Sequence, residues 1–249
     1  ETGMSIPKII HYCWFGGGPI SAESQKCMES WKKYCPDYKI IEWNDQNFDI
    51  STNRYAQQAY EAKKYAFVSD YVRLAVLYEY GGIYLDTDVE LVRPLDELLE
   101  LPGFMGFQTN NEVATGLGFG ARKGNSVVQA LLRDYDALDF LKADGSADLT
   151  PCPERNTRVL QALGVRKDGT RQSIAEMEIF PAEYFCPMDL YSRELRVTPK
   201  TYSIHRYAES WKPKPSAVSR ILQRLLKKHY YTWYCPLRGR IEGRLRKRT

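Results

Sequence analysis

The chain has 249 residues, 43% hydrophobic and 27% charged, a balance that suits one large globular domain and excludes wholly disordered or collagen-like chains. No run approaches the roughly 18 consecutive apolar residues of a spanning helix, and the N-terminus lacks a basic-then-apolar signal pattern. The net charge of +4 hides a division: Lys212 to Thr249 carries 12 basic residues against the single acid Glu242, leaving 23 basic and 30 acidic residues before it.

Glu1-Thr2-Gly3 precedes Met4 and reads as a vector-derived scar. The run from Lys8 to Phe15 is β-rich and ends at Gly16-Gly17-Gly18-Pro19, a strand feeding a loop. Ser21 caps a predicted helix over Ala22–Tyr34, where Met28, Trp31 and Cys35 recur at helical spacing before Pro36. Tyr38 to Trp43 reads as a second strand. Strand, helix, strand predicts an α/β sheet.

Ala66 to Tyr80 is apolar on nearly every face, which predicts a central helix ended by Gly81-Gly82. Ile83-Tyr84-Leu85-Asp86 then reads as a short buried strand. Further strands are predicted over Gly103–Gln108, Leu117–Ala121, Met177–Phe180 and Thr201–His205, and helices over Asn125–Phe140 and Glu154–Leu163. The single compositional boundary is Lys212-Pro213-Lys214-Pro215, dividing a domain of residues 4–211 from a tail of residues 212–249. Six cysteines (Cys13, Cys27, Cys35, Cys152, Cys186, Cys235) lack paired spacing, which predicts reduced, mostly buried thiols in a cytosolic protein rather than a zinc site.

Asp86-Thr87-Asp88 leaves the predicted strand at the place where α/β sheets bind ligands. In an extended chain residues i and i+2 face one side, so both carboxylates would address one hard cation, Mn²⁺ or Mg²⁺. Fourteen aspartates in 249 residues give about 0.8 chance Asp-x-Asp matches, so the pair alone is weak. Asp134-Tyr135-Asp136 is such a match; it falls on a predicted helix, where i and i+2 diverge, and is read as a solvated decoy. Asp70 and Arg73 lie three apart on the otherwise apolar helix, and charges there are either a structural pair or functional.

Ile6-Pro7-Lys8-Ile9-Ile10-His11 with Trp14, then Ser69-Asp70-Tyr71-Val72-Arg73 through Tyr80-Gly81-Gly82-Ile83-Tyr84-Leu85-Asp86-Thr87-Asp88, resembles glycosyltransferase family 32, which includes capsular-polysaccharide transferases. A more distant similarity is to the glucosylating domain of large clostridial toxins. The resemblance covers about residues 6–125, with a further match at His205-Arg206-Tyr207-Ala208-Glu209-Ser210-Trp211. It implies a GT-A fold and a metal-dependent, configuration-retaining transfer from a nucleotide sugar.

By position, the resemblance puts Trp14 on the nucleobase, and Asp70 and Arg73 on the donor sugar. Asp86 would contact ribose or sugar and, through the metal, the diphosphate; Asp88 would ligate the metal directly. His205 or Ser210 would complete the metal site, and Trp211 would cover the diphosphate. Asp86, Asp88 and Arg73 would be the catalytic set, since a departing nucleoside diphosphate develops negative charge that a cation and Arg73 stabilise. The stretch from Asn110 to Arg196 departs from the family pattern, and acceptor recognition is expected there.

In the tail, Val218, Ile221, Leu222, Leu225 and Leu226 recur at helical spacing among Arg220, Arg224, Lys227 and Lys228, with Tyr230, Tyr231, Trp233 and Tyr234 following. A basic amphipathic helix over 216–249 suits an anionic membrane surface, the cytoplasmic face of the inner membrane with a lipid-linked acceptor. A helix packed on the domain is the plainer reading, and no nucleic-acid motif is present. Ile241-Glu242-Gly243-Arg244 resembles a protease linker site. UDP-hexose, UDP-galactose first, is the preferred donor, for transfer to a bacterial surface glycan; GDP-mannose is the alternative. A non-catalytic carbohydrate-binding protein and a two-carboxylate glycosidase are the rivals from other classes.

Overall fold

In the computed structural model, residues 5–189 and 192–208 are described. Ile9–Cys13 forms β1, and Ser21 starts α1 (Ala22–Tyr34) by accepting a hydrogen bond from the Ser24 amide. Glu23 in the first turn and Lys32 and Lys33 in the last complement the helix dipole. α1 buries Cys27 and Trp31 and returns the chain to β2 (Lys39–Trp43). Two further helices, α2 (Arg54–Glu61) and α3 (Tyr65–Tyr80), lead into β3 (Gly82–Tyr84).

β1 pairs in parallel with both β2 and β3, with His11 opposite Tyr84. The turn between α3 and β3 needs its glycines. Gly81 and Gly82 have φ of 66° and 109°, and a Cβ on Gly81 would lie 2.8 Å from the Lys123 amide nitrogen.

The rest of the described chain supplies β4 (Val89–Leu91), β5 (Gly103–Phe107), β6 (Val113–Ala114), β7 (Phe119–Ala121), α4 (Ser126–Asp136), α5 (Cys152–Ala162), β8 (Gln172–Ile174), β9 (Met177–Phe180), α6 (Ala182–Phe185) and β10 (Ser203–His205). The main sheet runs β2-β1-β3-β7-β5-β9-β8, with β6 on β5. It is mixed, because β7 runs antiparallel to both β3 and β5 while β5 and β9 are parallel. β4 and β10 form a separate antiparallel ribbon in which His205 faces Val89. The expected mixed α/β sheet flanked by helices is what the chain builds.

Strand alternation divides the core between the faces of the sheet. Cys13, Tyr84, Met105 and Phe107 join α2, α3 and α4 in one apolar cluster. Ile10, Ile83, Leu85 and Phe104 join Trp31 of α1 and Phe185 of α6 in the other.

Three expectations are corrected. The strand expected to reach Asp86 ends at Tyr84, and Asp86-Thr87-Asp88 is a turn closed by the Val89 amide donating to the Asp86 carbonyl at 3.0 Å. The helix expected to reach Phe140 stops at Asp136: Ala137 and Leu138 donate only three residues back, and Gln58 Oε1 accepts the Phe140 amide. α2, α6, β4, β6 and β8 were not expected at all. α2 starts where Asn53 accepts from the Ala56 amide, a cap hidden in the polar stretch after Trp43.

Cys13, Cys27, Cys35, Cys152 and Cys186 are buried free thiols, as predicted. Cys235 and the tail of residues 212–249, with its expected amphipathic helix, lie outside the described residues, as do Ser210 and Trp211.

Candidate active site at the carboxyl edge of the sheet

Parallel pairing of β1 and β3 sends Trp14 and Asp86 out of the same carboxyl edge, three residues beyond His11 and two beyond Tyr84. Trp14 is half-buried, with its indole N–H donating to the Gly18 carbonyl at 2.6 Å. Trp31 is fully buried, as expected of a core tryptophan, whereas Trp43 is partly buried and donates to His11 Nδ1 at 3.0 Å.

The acidic pair reaches one place through its turn rather than by strand alternation. Ligand atoms of Asp86, Asp88 and His205 all lie within 4.8 Å of one another. The β4–β10 ribbon delivers His205, whose Nε2 lies 3.3 Å from Asp88 Oδ1. Asp88 Oδ2 accepts the Ala208 amide at 2.7 Å.

Each Asp86 oxygen has a distinct surrounding. Oδ1 accepts from Arg73 Nη2 at 3.1 Å and from the Tyr84 hydroxyl at 3.0 Å. Oδ2 faces Gly116, where a Cβ would stand only 2.1 Å away. The set of two carboxylates and an imidazole suits a divalent cation such as Mn²⁺, and the Asp86 oxygen free of Arg73 and Tyr84 is available to it.

Charge balance follows the same contacts. Burial pushes the Asp86 carboxyl up, against the opposing pull of Arg73. Burial also opposes charge on Asp88, but His205 and the Ala208 amide bring its pKa down to about 2. Burial depresses His205, yet the neighbouring Asp88 and Asp86 raise it above its ordinary value.

Arg73 on α3 is the hub. Its Nη2 also lies 3.2 Å from Asp70 Oδ1, and its Nε donates to the Ser69 carbonyl. The guanidinium stacks 4.9 Å from the centre of the Tyr84 ring. Burial penalises its charge, but Asp86, Tyr84 and Asp70 keep it firmly protonated. Asp70 is held up to about 6, burial outweighing the help of Arg73.

Sequence reasoning did not single out Thr115, Gly116, Cys152 or Asn156, which complete this wall. Thr115 Oγ1 lies 3.2 Å from Cys152 Sγ and accepts from Asn156 Nδ2 at 3.1 Å. Pro151-Cys152-Pro153 carried a helix-start signal, and Gly116 and Gly118 flank Leu117; nothing in the linear order tied either segment to Arg73. The Asp134-Tyr135-Asp136 match plays no part here: Asp134 pairs with Arg158, and Asp136 accepts from Asn53.

Residues 21–104 match the family described as "Glycosyltransferase sugar-binding region containing DXD motif". An inositol phosphoceramide mannosyltransferase of Schizosaccharomyces pombe is 30% identical over 56% of this chain, and the chain spans 40% of that protein's length. An uncharacterized glycosyltransferase of Acanthamoeba polyphaga mimivirus is 25% identical, with 84% of each chain covered. Among solved structures, the PaToxG glycosyltransferase aligns over 64% of this chain and 70% of its own, with 21% identity and a TM-score of 0.46.

Proposed function

We propose, from the match of residues 21–104 to a glycosyltransferase sugar-binding region containing a DXD motif, that the chain is a metal-dependent glycosyltransferase of GT-A type using a nucleotide sugar. The observation that carries the proposal is the convergence of Asp86, Asp88 and His205 beside the Arg73 guanidinium. Mn²⁺ or Mg²⁺ held by those three side chains would neutralise the charge developing on the departing diphosphate.

The chain's own residues have separable tasks. Arg73 and Tyr84 hold Asp86 by Oδ1, so that Oδ2 would be the oxygen left for the cation. Asp88 would meet the same cation through Oδ1 while its Oδ2 accepts the Ala208 amide. Asp70 and Arg73 receive the sugar, and Trp14 offers a half-buried flat surface to the base. Front-face transfer with retained configuration requires no covalent nucleophile, and none is assigned. Residues 4–211 then act as the catalytic domain and 212–249 as a basic tail.

UDP-hexose, UDP-galactose first, remains the preferred donor. GDP-mannose is a specific second reading, favoured by the mannosyltransferase name of the fission-yeast relative. That name also includes an inositol phosphoceramide, which supports a lipid-linked glycan acceptor. No helix among the described residues is long and apolar enough to cross a membrane. The basic segment 216–249 would bring the enzyme to an anionic cytoplasmic surface, peripheral to the inner membrane, in surface polysaccharide synthesis.

Nucleotide release from a panel of UDP-galactose, UDP-glucose, UDP-N-acetylglucosamine and GDP-mannose, with Mn²⁺, tests the proposal. Release from one donor, abolished by a chelator, is expected. No release, together with stabilisation by free sugar alone, would instead assign a carbohydrate-binding protein.

A further inference from the structure

Among the described residues, four buried polar atoms without a protein partner belong to side chains that pack near one another: the Tyr55 and Tyr135 hydroxyls, Arg155 Nε and Asn156 Oδ1. Tyr55, Tyr135, Arg155 and Asn156 are each no more than 2% exposed. They arrive from three helices, α2, α4 and α5, so the cluster is assembled by tertiary packing rather than by a local turn.

The neighbours fix where these atoms lie. The Tyr55 and Tyr135 rings meet edge to face at 5.1 Å, and the Arg155 guanidinium lies 5.6 Å from the centre of the Tyr55 ring. Arg155 spends Nη2 on Asp148 at 2.6 Å, and Asn156 spends Nδ2 on Thr115 and Cys152. Both phenols feel the negative charge of Asp70, yet neither reaches it in a hydrogen bond.

A hydroxyl, a guanidinium nitrogen or an amide oxygen buried without a partner destabilises the fold, because it loses its bonds to water and gains none. Four such losses are more than a marginally stable fold tolerates for no return. The chemistry of the four is complementary. Three are donors and one is an acceptor, with the Asp70 carboxylate as a further acceptor. A buried water makes about three hydrogen bonds as both donor and acceptor, which neither an ion nor an apolar ligand can do.

We propose that Tyr55, Tyr135, Arg155 and Asn156 bind ordered water behind Asp70, and that this water, accepting from the phenols and donating to the carboxylate, positions Asp70 for the donor sugar. Tyr55 and Tyr135 are thus positioning residues that act through water on the Asp70 carboxylate, which Arg73 holds from its other side at 3.2 Å. The water site stands by itself; only its service to the sugar rests on the proposed function.

The sign of a stability change tests the water site. Removing a hydroxyl that truly lacks a partner leaves a protein equally stable or more stable, whereas removing a water-bonded one destabilises it. Tyr55→Phe and Tyr135→Phe in the full chain should each lower the melting temperature by about 2–4 °C. The double variant should lose less than the sum, because both phenols share the same water. Unchanged or raised melting temperatures would overturn the water site, as would a crystal structure in which no ordered water lies within hydrogen-bonding distance of any two of the four groups.

The positioning role has its own readout. With Mn²⁺ present, both variants should bind UDP as wild type does and bind the accepted nucleotide sugar about fivefold more weakly, since only the latter presents a sugar to Asp70. Lower melting temperatures with an unchanged ratio of the two affinities would overturn the positioning of Asp70. Loss of all nucleotide binding by the wild type would strike the proposed function and leave the water site standing on the crystallographic and melting results.

Discussion

Arg73 and Asp86 are joined at 3.1 Å, Nη2 to Oδ1, across the junction between α3 and the turn after β3. The same guanidinium holds Asp70, so the helix and the turn share one buried cation. This contact, with the Tyr84 hydroxyl beside it, commits Asp86 Oδ1 to the protein, while Oδ2 faces Gly116.

Tyr84→Phe removes only the hydroxyl that donates to Asp86 Oδ1. Hydrogen bonds to charged groups contribute about 1.5–3 kcal/mol, so the rate of nucleotide release should fall roughly tenfold or more. Steady-state assays with the accepted donor measure it; an unaltered rate would mean that Arg73 alone holds the carboxylate.

Gly116→Ala pushes a methyl group to 2.1 Å from Asp86 Oδ2. Asp86 must turn away, and the Mn²⁺-dependent affinity for UDP or GDP should drop at least tenfold. Gly18→Ala is the matched control, because a Cβ there meets nothing within 4 Å. Calorimetry on both variants should separate them clearly; equal affinities would remove Gly116 from the account.

Trp14→Ala should weaken nucleotide binding several-fold in the same calorimetric assay. The indole is half-buried and tied to Gly18 rather than locked in the core. Wild-type affinity in this variant would return Trp14 to a purely structural role.

His11 sets an acid limit on stability. It is fully buried, Trp43 donates to its Nδ1, and its Nε2 meets the Gly81 carbonyl. Nδ1 is therefore the acceptor and Nε2 carries the proton. Burial, reinforced by Lys39, lowers its pKa to about 4. Between about 6.5 and 4 the unfolded chain takes up a proton that the folded chain refuses, so stability falls as pH falls. From pH 7 to pH 5 this group should cost about 2 kcal/mol. Asp70, raised to about 6, acts in the opposite direction; comparing urea unfolding of wild type with His11→Gln isolates the histidine. Parallel pH dependences for the two proteins would contradict this reading.

Much of the architecture was legible because local signals agreed with the final packing. Ser21 before an apolar period of 3.6 gave α1 its bounds, and Gly81-Gly82 gave the end of α3. The acidic pair was legible as a place but not as a geometry. An extended i, i+2 arrangement was expected, whereas the Asp86 carbonyl accepts the Val89 amide and folds the segment into a turn. Thr115, Cys152 and Asn156 were illegible for another reason. Their positions depend on β6 and α5 packing beside α3, and a long-range meeting of neutral side chains leaves no periodicity or motif to read.

The central claim is that Asp86, Asp88 and His205 hold a divalent cation on which nucleotide binding depends. Thermal melting of wild type and Asp88→Asn, with UDP or GDP and with Mn²⁺ present or chelated, tests it most directly. Asparagine keeps the shape and an oxygen for the Ala208 amide but loses the charge. The wild type should be stabilised by nucleotide only with Mn²⁺, and the variant should melt within a few degrees of it while showing no such gain. An equal Mn²⁺-dependent gain in Asp88→Asn, or a wild-type gain indifferent to the metal, would contradict the account.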